Sequence, residues 1–291
     1  MVNIMFSGNK SIFKGIVLAT LSILKHYKNP LTIYLTTLDY TEIKPNFCCI
    51  TPEQADFLDN LVKQTNAQSQ VKLIDTTIMF KQLLYGKNHN NDYSPYTLIR
   101  LLIDKIDLPD KILYLDADIM ACDDISLLYD IDISEYEFAS ALDYMGKFWI
   151  AKDYFNAGVT LFNCKLAIKN DLFEKCRYLV NTKWFKMPDQ SALYRSKNSM
   201  LILDGRFNEQ RMPKQNTVVK HFNKGIKWLP FFHIYNVKQW QFDKVHNKLK
   251  IFCFDDIFEQ YTELLKDHKQ LIENWTDNKL ALLFIFYIDC T

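Results

Sequence analysis

Residues 111–115 read Lys-Ile-Leu-Tyr-Leu and stop abruptly at Asp116-Ala117-Asp118. Five residues are too few for an ordinary helix, and a compact apolar run bounded by polar residues reads as a buried strand. The rest of the first half repeats the theme. Strand-like runs at 3–6, 31–36 and 71–74 alternate with helical patterns over 12–26, 52–64 and 96–106. The first of these helices stops before Asn29-Pro30, where proline cannot continue it. The second opens on Thr51-Pro52-Glu53-Gln54, a capping-box start with proline at the first helical position. Strands alternating with helices predict an α/β fold, a mainly parallel central sheet flanked by helices. In such sheets ligands gather beyond the carboxyl ends of the strands. Asp116 and Asp118 fall there.

Further strands are expected at 137–142, 158–162, 200–203 and 218–221, with a helical stretch over 164–181. From about residue 228 the character changes: aromatics crowd 228–240, and helical spacing returns over 255–274. No flexible linker divides the two parts. The expected organisation is a catalytic domain over 1–230 and a C-terminal appendage over 231–291 packed on it.

On an extended chain, residues i and i+2 point to the same face, so Asp116 and Asp118 can converge on one cation. Hard divalent ions take oxygen ligands, and Mg²⁺ or Mn²⁺ commonly bridge a carboxylate to substrate phosphates. A solvated turn gives the same spacing by chance, but the apolar strand ahead of it argues for a site. Asp123 and Asp124 read instead as a loop or cap before a short helix at 125–129.

Bulk properties narrow the function. Net charge is +1 across 291 residues, without the clear basic excess that phosphate-backbone binding needs, so no nucleic acid partner is expected. Seven cysteines, odd in number and without CxxC spacing, suggest neither a zinc cluster nor a disulfide framework, and scattered reduced thiols suit the cytoplasm. The N-terminal segment lacks the pattern of a signal peptide. The apolar run at 280–288 is far shorter than the roughly 20 residues of a spanning helix. The segment 238–250 sets Trp240 and Phe242 among basic residues. It reads either as an interfacial membrane helix or as a solvated helix with a buried stripe.

The segment Tyr114-Leu115-Asp116-Ala117-Asp118-Ile119 resembles the metal-binding motif of family 8 glycosyltransferases, which include bacterial lipooligosaccharide galactosyl- and glucosyltransferases and glycogenin. Other segments follow in the family's order over about 2–230. Residues 3–9 resemble the first strand and loop that hold the nucleoside, which implies Ser7, Gly8 and Asn9 beside base and ribose; Ile12 stands where the family often has Tyr. Arg100 falls at an arginine that approaches the donor pyrophosphate and sugar, a task suited to its planar fork. Phe155-Asn156-Ala157-Gly158-Val159 is similar to a family segment in which Ala157 and Gly158 let backbone approach the ligand and Asn156 offers a donor and an acceptor. Asp189-Gln190 resembles a pair under the donor sugar, Asp189 on a hydroxyl and Gln190 near the anomeric carbon; Asp189 also reads as a helix N-cap. The stretch from His221 through Gly225 and Lys227 to Trp228 is similar to the family's HxxGxxKPW, with altered spacing and no proline. It implies His221 as third metal ligand and Lys227 on the diphosphate.

The resemblance implies a GT-A nucleotide-diphospho-sugar transferase fold. It implies retaining transfer of galactose or glucose from UDP-galactose or UDP-glucose to a lipid- or protein-linked glycan. Mn²⁺ or Mg²⁺ would be held by Asp116, Asp118 and His221, with Asp189, Gln190, Asn156 and Lys227 at the reacting sugar. Such acceptors imply a cytoplasmic enzyme, peripheral at the inner membrane face. Two other readings stand beside it: a catalytically weak nucleotide-sugar-binding protein, and a sugar-phosphate nucleotidyltransferase. The latter lacks a glycine-rich basic phosphate loop in residues 7–15.

Overall fold

The structure, a computed structural model, describes residues 1–91, 95–227 and 233–273. Among them the main sheet has seven strands: β1 (Val2–Ser7), β2 (Leu31–Thr37), β3 (Gln70–Asp75), β4 (Lys111–Leu115), β6 (Phe138–Leu142), β7 (Phe155–Asn163) and β8 (Met200–Leu203). Two short antiparallel ribbons flank it, β5 (Ile119–Ala121) with β9 (Val219–His221) and β10 (Gly225–Lys227) with β11 (His233–Tyr235). The main order is β3-β2-β1-β4-β7-β6-β8. All neighbours pair in parallel except at β7, which runs against both β4 and β6.

The helices are α1 (Phe13–His26), α2 (Pro52–Thr65), α3 (Thr77–Leu83), α4 (Ser126–Tyr129), α5 (Gly146–Trp149), α6 (Cys164–Lys169), α7 (Leu172–Thr182), α8 (Pro188–Ser196), α9 (Phe242–Lys244) and α10 (Asp255–Glu273). Two cores cover the two faces of the sheet, and strand alternation sorts residues between them. Ile4, Phe6, Leu113 and Leu115 join the core beneath α1, α2 and α10. Met5, Ile112 and Tyr114 join the opposite core with residues of α7 and α8. β1 and β4 are thus buried on both faces, which explains their apolar runs Ile4–Phe6 and Ile112–Leu115.

The reversal of β7 positions the site. Because β7 opposes β4, its first residues stand where β4 ends: Leu115 pairs with Val159, and the Asp116 N–H donates to the Gly158 carbonyl at 2.7 Å. The β5–β9 ribbon does the same for a segment a hundred residues away, pairing Ile119 with His221.

Three expectations change in detail. Residues 95–105 are helical but wound as a 3₁₀ helix, in which residues three apart eclipse, and Arg100 Nε closes on the Thr97 carbonyl at 3.0 Å. The helical stretch over 164–181 is two helices, α6 and α7, broken at Asn170-Asp171, where Asp171 takes a left-handed φ of 57°. Short polar side chains tolerate that conformation. Asp189 is not an N-cap: Met187 holds that place, and Asp189 sits in the first turn of α8 behind Pro188. Asp124 does cap its loop, its Oδ1 accepting from Ser126 N at 2.8 Å.

Beyond residue 233 the chain returns to the core. Ile257, Phe258, Tyr261 and Ile272 of α10 join the same apolar cluster as α1. Phe242 stacks on Phe258 with ring centroids 4.2 Å apart, and Trp240 packs against the core. The two aromatic residues that made 238–250 a candidate membrane helix therefore face inward, as the buried-stripe reading has it. No helix among the described residues is long and apolar enough to cross a membrane. The apolar run at 280–288 lies outside the described residues.

The capping box links the two ends of this packing. Thr51 Oγ1 accepts from Gln54 N and Gln54 Oε1 accepts from Thr51 N, at 3.3 and 3.1 Å. The same buried Gln54 donates from Nε2 to the Leu271 carbonyl of α10 at 2.8 Å. Thr51→Ala should cost about 1 kcal/mol in urea unfolding. Gln54→Ala should cost more, about 1–3 kcal/mol, and should speed amide exchange at the end of α10; an equal cost for both would mean the Leu271 bond contributes nothing.

Candidate active site

At the carboxyl end of β4 the chain turns through Asp116, Ala117 and Asp118 before entering β5. Asp116 and Asp118 meet His221, delivered by β9, so that one ligand atom from each lies within 4.8 Å of the others. His221 Nε2 is 3.1 Å from Asp118 Oδ1 and 3.8 Å from Asp116 Oδ2. Gly158 makes room for them. A Cβ there would lie 2.2 Å from His221 Cε1 and 2.7 Å from Asp116 Oδ2, closer than any side chain could stand. The glycine serves close approach here, and its neighbour Ala157 turns its amide and carbonyl to the site.

Arg100 organises the other side. It is 1% exposed and its guanidinium reaches four elements. Nη2 donates to Asp116 Oδ1 at 2.8 Å and to Tyr114 Oη at 3.0 Å. Nε lies 3.2 Å from Asp189 Oδ2, and Nη1 donates to the Ala157 carbonyl. Burial disfavours its charge, yet Tyr114, Asp189 and Asp116 together hold its pKa above the ordinary value. Asp189 feels the opposite balance: burial pushes its carboxyl up, Arg100 pulls it down and the Asp116 charge adds to the rise. Next to it, Gln190 Oε1 accepts from Ala157 N at 3.0 Å. Asn156 donates from Nδ2 to Asp143 Oδ2 at 3.0 Å, while its Oδ1 accepts from Gly158 N at 3.1 Å.

The loop Ser7-Gly8-Asn9 continues β1. Ser7 lies one residue beyond the Phe6–Leu115 pair, its hydroxyl 2.8 Å from Thr36 Oγ1. Asn9 Oδ1 accepts from Ile12 N at 3.1 Å and so caps the next turn. Gly8 joins them. Ser7 and Asn9 are both buried. Gly225, on β10, lies against the Tyr235 ring. Lys227 is the last residue of β10, and its side chain lies outside the described residues, as do Trp228 and its aromatic neighbours to residue 232.

Several residues at the site escaped the sequence. Lys238 reaches back to donate to Asp118 Oδ2 and to the Phe222 carbonyl, the latter at 3.0 Å. Burial works against the Asp118 charge, but Lys238 and His221 hold its carboxyl well below the usual carboxylate range. The neighbouring Gln239 donates to the Ala117 carbonyl at 2.6 Å. Gly15 must stay small for this strap, since a Cβ would lie 2.6 Å from the Ala117 carbonyl oxygen and 2.7 Å from the Trp240 ring. One signal was available: Lys238-Gln239-Trp240 keeps the Lys-x-Trp spacing that closes the family motif, which Lys227-Trp228 does not. Asn208 and Asp143, which hold Asn156, carried no sequence signal.

The sequence matches the model of glycosyl transferase family 8 over residues 3–243. Glycosyltransferase GlyA of Streptococcus pneumoniae serotype 4 is 27% identical over 140 residues, covering 47% of this chain and 20% of that protein. The chain thus spans about a fifth of that relative's length. Among solved structures, galactosyltransferase LgtC in complex with donor and acceptor sugar analogs superposes with a TM-score of 0.63 at 17% identity, covering 90% of this chain and 96% of the other. Glycosyltransferase GlyE of S. pneumoniae TIGR4 gives 0.61 at 21% identity over 90% of this chain and 64% of the other. At such identities the structural likeness establishes the GT-A fold, and the sequence match across most of the chain establishes the rest: the chain belongs to glycosyl transferase family 8 and is a glycosyltransferase.

Proposed function

We propose that this glycosyltransferase moves a hexose, galactose or glucose, from a UDP-sugar to a glycan acceptor with retention of configuration, using a divalent cation held by Asp116, Asp118 and His221. The observation that carries the reading is the convergence of two carboxylate oxygens and one imidazole nitrogen within 4.8 Å, at the strand ends where ligands of α/β sheets bind. The donor set fits the cation. Three ligands from a partly open site leave positions for phosphate oxygens, and an imidazole beside two carboxylates suits Mn²⁺ better than Mg²⁺. When bound, such a cation neutralises the leaving diphosphate.

The chain's own residues supply the rest. Lys238, already beside Asp118, is the cation best placed to bind the diphosphate, the role that resemblance gave to Lys227. Ser7, Gly8 and Asn9 border the nucleoside. Asp189 meets a sugar hydroxyl, and Arg100 counters the upward push that burial and Asp116 exert on its carboxyl. Asn156 has one N–H left for a hydroxyl after its bond to Asp143. Gln190 has its oxygen held by the Ala157 amide, and an amide is a poor nucleophile. A covalent sugar–enzyme step of the kind retaining glycosidases use is therefore disfavoured. Instead the acceptor hydroxyl attacks the anomeric carbon on the face the diphosphate leaves. The new glycosidic C–O bond forms as the bond to phosphate breaks, and the hydroxyl proton passes to the departing phosphate oxygen.

In this reading residues 1–230 form the catalytic unit, and 231–291 form an appendage that lends it Lys238. The acceptor is lipid- or protein-linked, which places the enzyme in the cytoplasm or peripherally at the inner membrane face.

The first test is product release from a panel of UDP-sugars with Mn²⁺ and with chelator. UDP should appear from UDP-galactose or UDP-glucose only with the metal; pyrophosphate as product, or no UDP release and no calorimetric binding of UDP with Mn²⁺, would defeat the proposal. Asp116→Asn should abolish metal-dependent turnover. Lys238→Ala should lower kcat by about 10²–10³-fold, the usual cost of one donor to developing charge, and Lys227→Ala should cost less. Gly158→Ala should keep the cooperative unfolding transition but lose Mn²⁺ binding, because the new methyl displaces His221 and Asp116.

A further inference from the structure

Asn208 lies at the end of a 3₁₀ turn, Gly205–Asn208, and is 2% exposed. Its amide bridges the two halves of the site. Nδ2 is 3.0 Å from Asn156 Oδ1, and Oδ1 is 3.1 Å from His221 Nδ1. Which end of each amide faces which neighbour follows from groups whose polarity is fixed. A carboxylate can only accept, so Asp143 Oδ2 must face the Asn156 NH₂. A backbone N–H can only donate, so Gly158 N must face the Asn156 oxygen. Asn156 therefore presents its oxygen to Asn208, and Asn208 must answer with its NH₂. That leaves only the Asn208 oxygen for His221, so Nδ1 must carry a proton. Nε2, 3.1 Å from Asp118 Oδ1 and 3.8 Å from Asp116 Oδ2, is then the ring atom left to meet a cation.

We propose that Asn208 is a positioning residue that fixes the tautomer and ring orientation of His221, with its own orientation dictated by Asp143 and the Gly158 amide through Asn156. The relay ties the cation end of the site to the sugar end. Asn156 lies on β7 directly before Ala157 and Gly158, and any group that turns the Asn156 amide also turns the Asn208 amide that holds His221. Outer partners of metal-bound histidines act in this way elsewhere, and their loss costs about 10- to 100-fold in metal affinity. The function of the relay rests on the proposed role of His221 as a cation ligand; the tautomer itself does not.

Two measurements test it on the full chain. The first reads Nδ1 of the His221 ring in the metal-free protein by long-range ¹H–¹⁵N correlation, assigned with His221→Ala. A proton on Nδ1 is expected, and an Nδ1 without a proton overturns the relay whether or not the protein binds metal. The second measures Mn²⁺ affinity by calorimetry. Asn208→Leu, nearly isosteric but unable to accept, should weaken Mn²⁺ binding about 10- to 100-fold. Asn208→Asp can still accept from Nδ1–H, so it should retain wild-type affinity for Mn²⁺ while losing its bond to Asn156 and raising the donor KM. Equal Mn²⁺ affinity in wild type and Asn208→Leu, with His221→Ala weakened, would overturn the positioning role and leave the metal site standing. Mn²⁺ binding absent from the wild type would instead sink the metal reading, and the ring-proton measurement would still decide the tautomer. Should Asn208→Leu fail to fold, the Asp variant and the ring-proton position carry the decision.

Discussion

Arg100 is buried among oxygens from five segments of the chain, and the rest of the site is arranged around that fact. A guanidinium carries five N–H donors in a rigid fork and no acceptor. Taking it out of water costs several kcal/mol unless the fork is filled. Thr97, Tyr114, Asp116, Ala157 and Asp189 engage all three of its nitrogens. These partners come from the 3₁₀ helix, β4, the turn after β4, β7 and α8, so satisfying one side chain fixes the relative positions of all of them. Lysine could not do this, because a single ammonium lacks the planar fork. The same cation explains how Asp116 and Asp189 coexist. The Asp116 charge raises the cost of ionising Asp189, and Arg100 lies between them.

Around that anchor, topology rather than local sequence assembles the chemistry. The reversed β7 sets Ala157 and Gly158 against Asp116. The β5–β9 ribbon sets His221 opposite Ile119. The 238–240 strap then closes over Ala117 and Asp118. The site has two ends as a result. One is anionic and cation-seeking, at Asp116, Asp118 and His221, with Lys238 as counter-ion. The other is a polar shelf of Asn156, Asp189 and Gln190. A nucleotide-sugar has the same division, a charged diphosphate joined to a neutral hydroxylated ring.

How far the sequence reveals this depends on the range of each interaction. β4 and the Asp116–Asp118 pair are legible because strand alternation and i, i+2 geometry are local. The α2 capping box is legible for the same reason. His221 and Asp189 come only through the family resemblance, since a lone His or a helix-start Asp has many ordinary explanations. Asp189 even reads as an N-cap until Arg100 is seen to claim its carboxylate. The break at Asn170-Asp171 is hidden because apolar spacing continues across it. Lys238 and Asn208 are invisible for a different reason. Their roles arise from contacts across 120 and 13 residues respectively, set by the way the chain folds back; nothing around Asn208 announces a site, and at Lys238 only the Lys-x-Trp spacing does, far along the chain from His221.

In the proposed function, three side chains from two distant segments form one cation site at which a nucleotide diphosphate is held. The most direct test is a crystal structure of the chain grown with Mn²⁺ and UDP, with the metal located by its anomalous scattering. The account predicts a single strong peak bonded to Asp116, Asp118 and Nε2 of His221, with diphosphate oxygens completing the coordination and Lys238 turned to the phosphates. A peak elsewhere, or UDP bound with Lys238 still on Asp118 and no metal between the carboxylates, would contradict it.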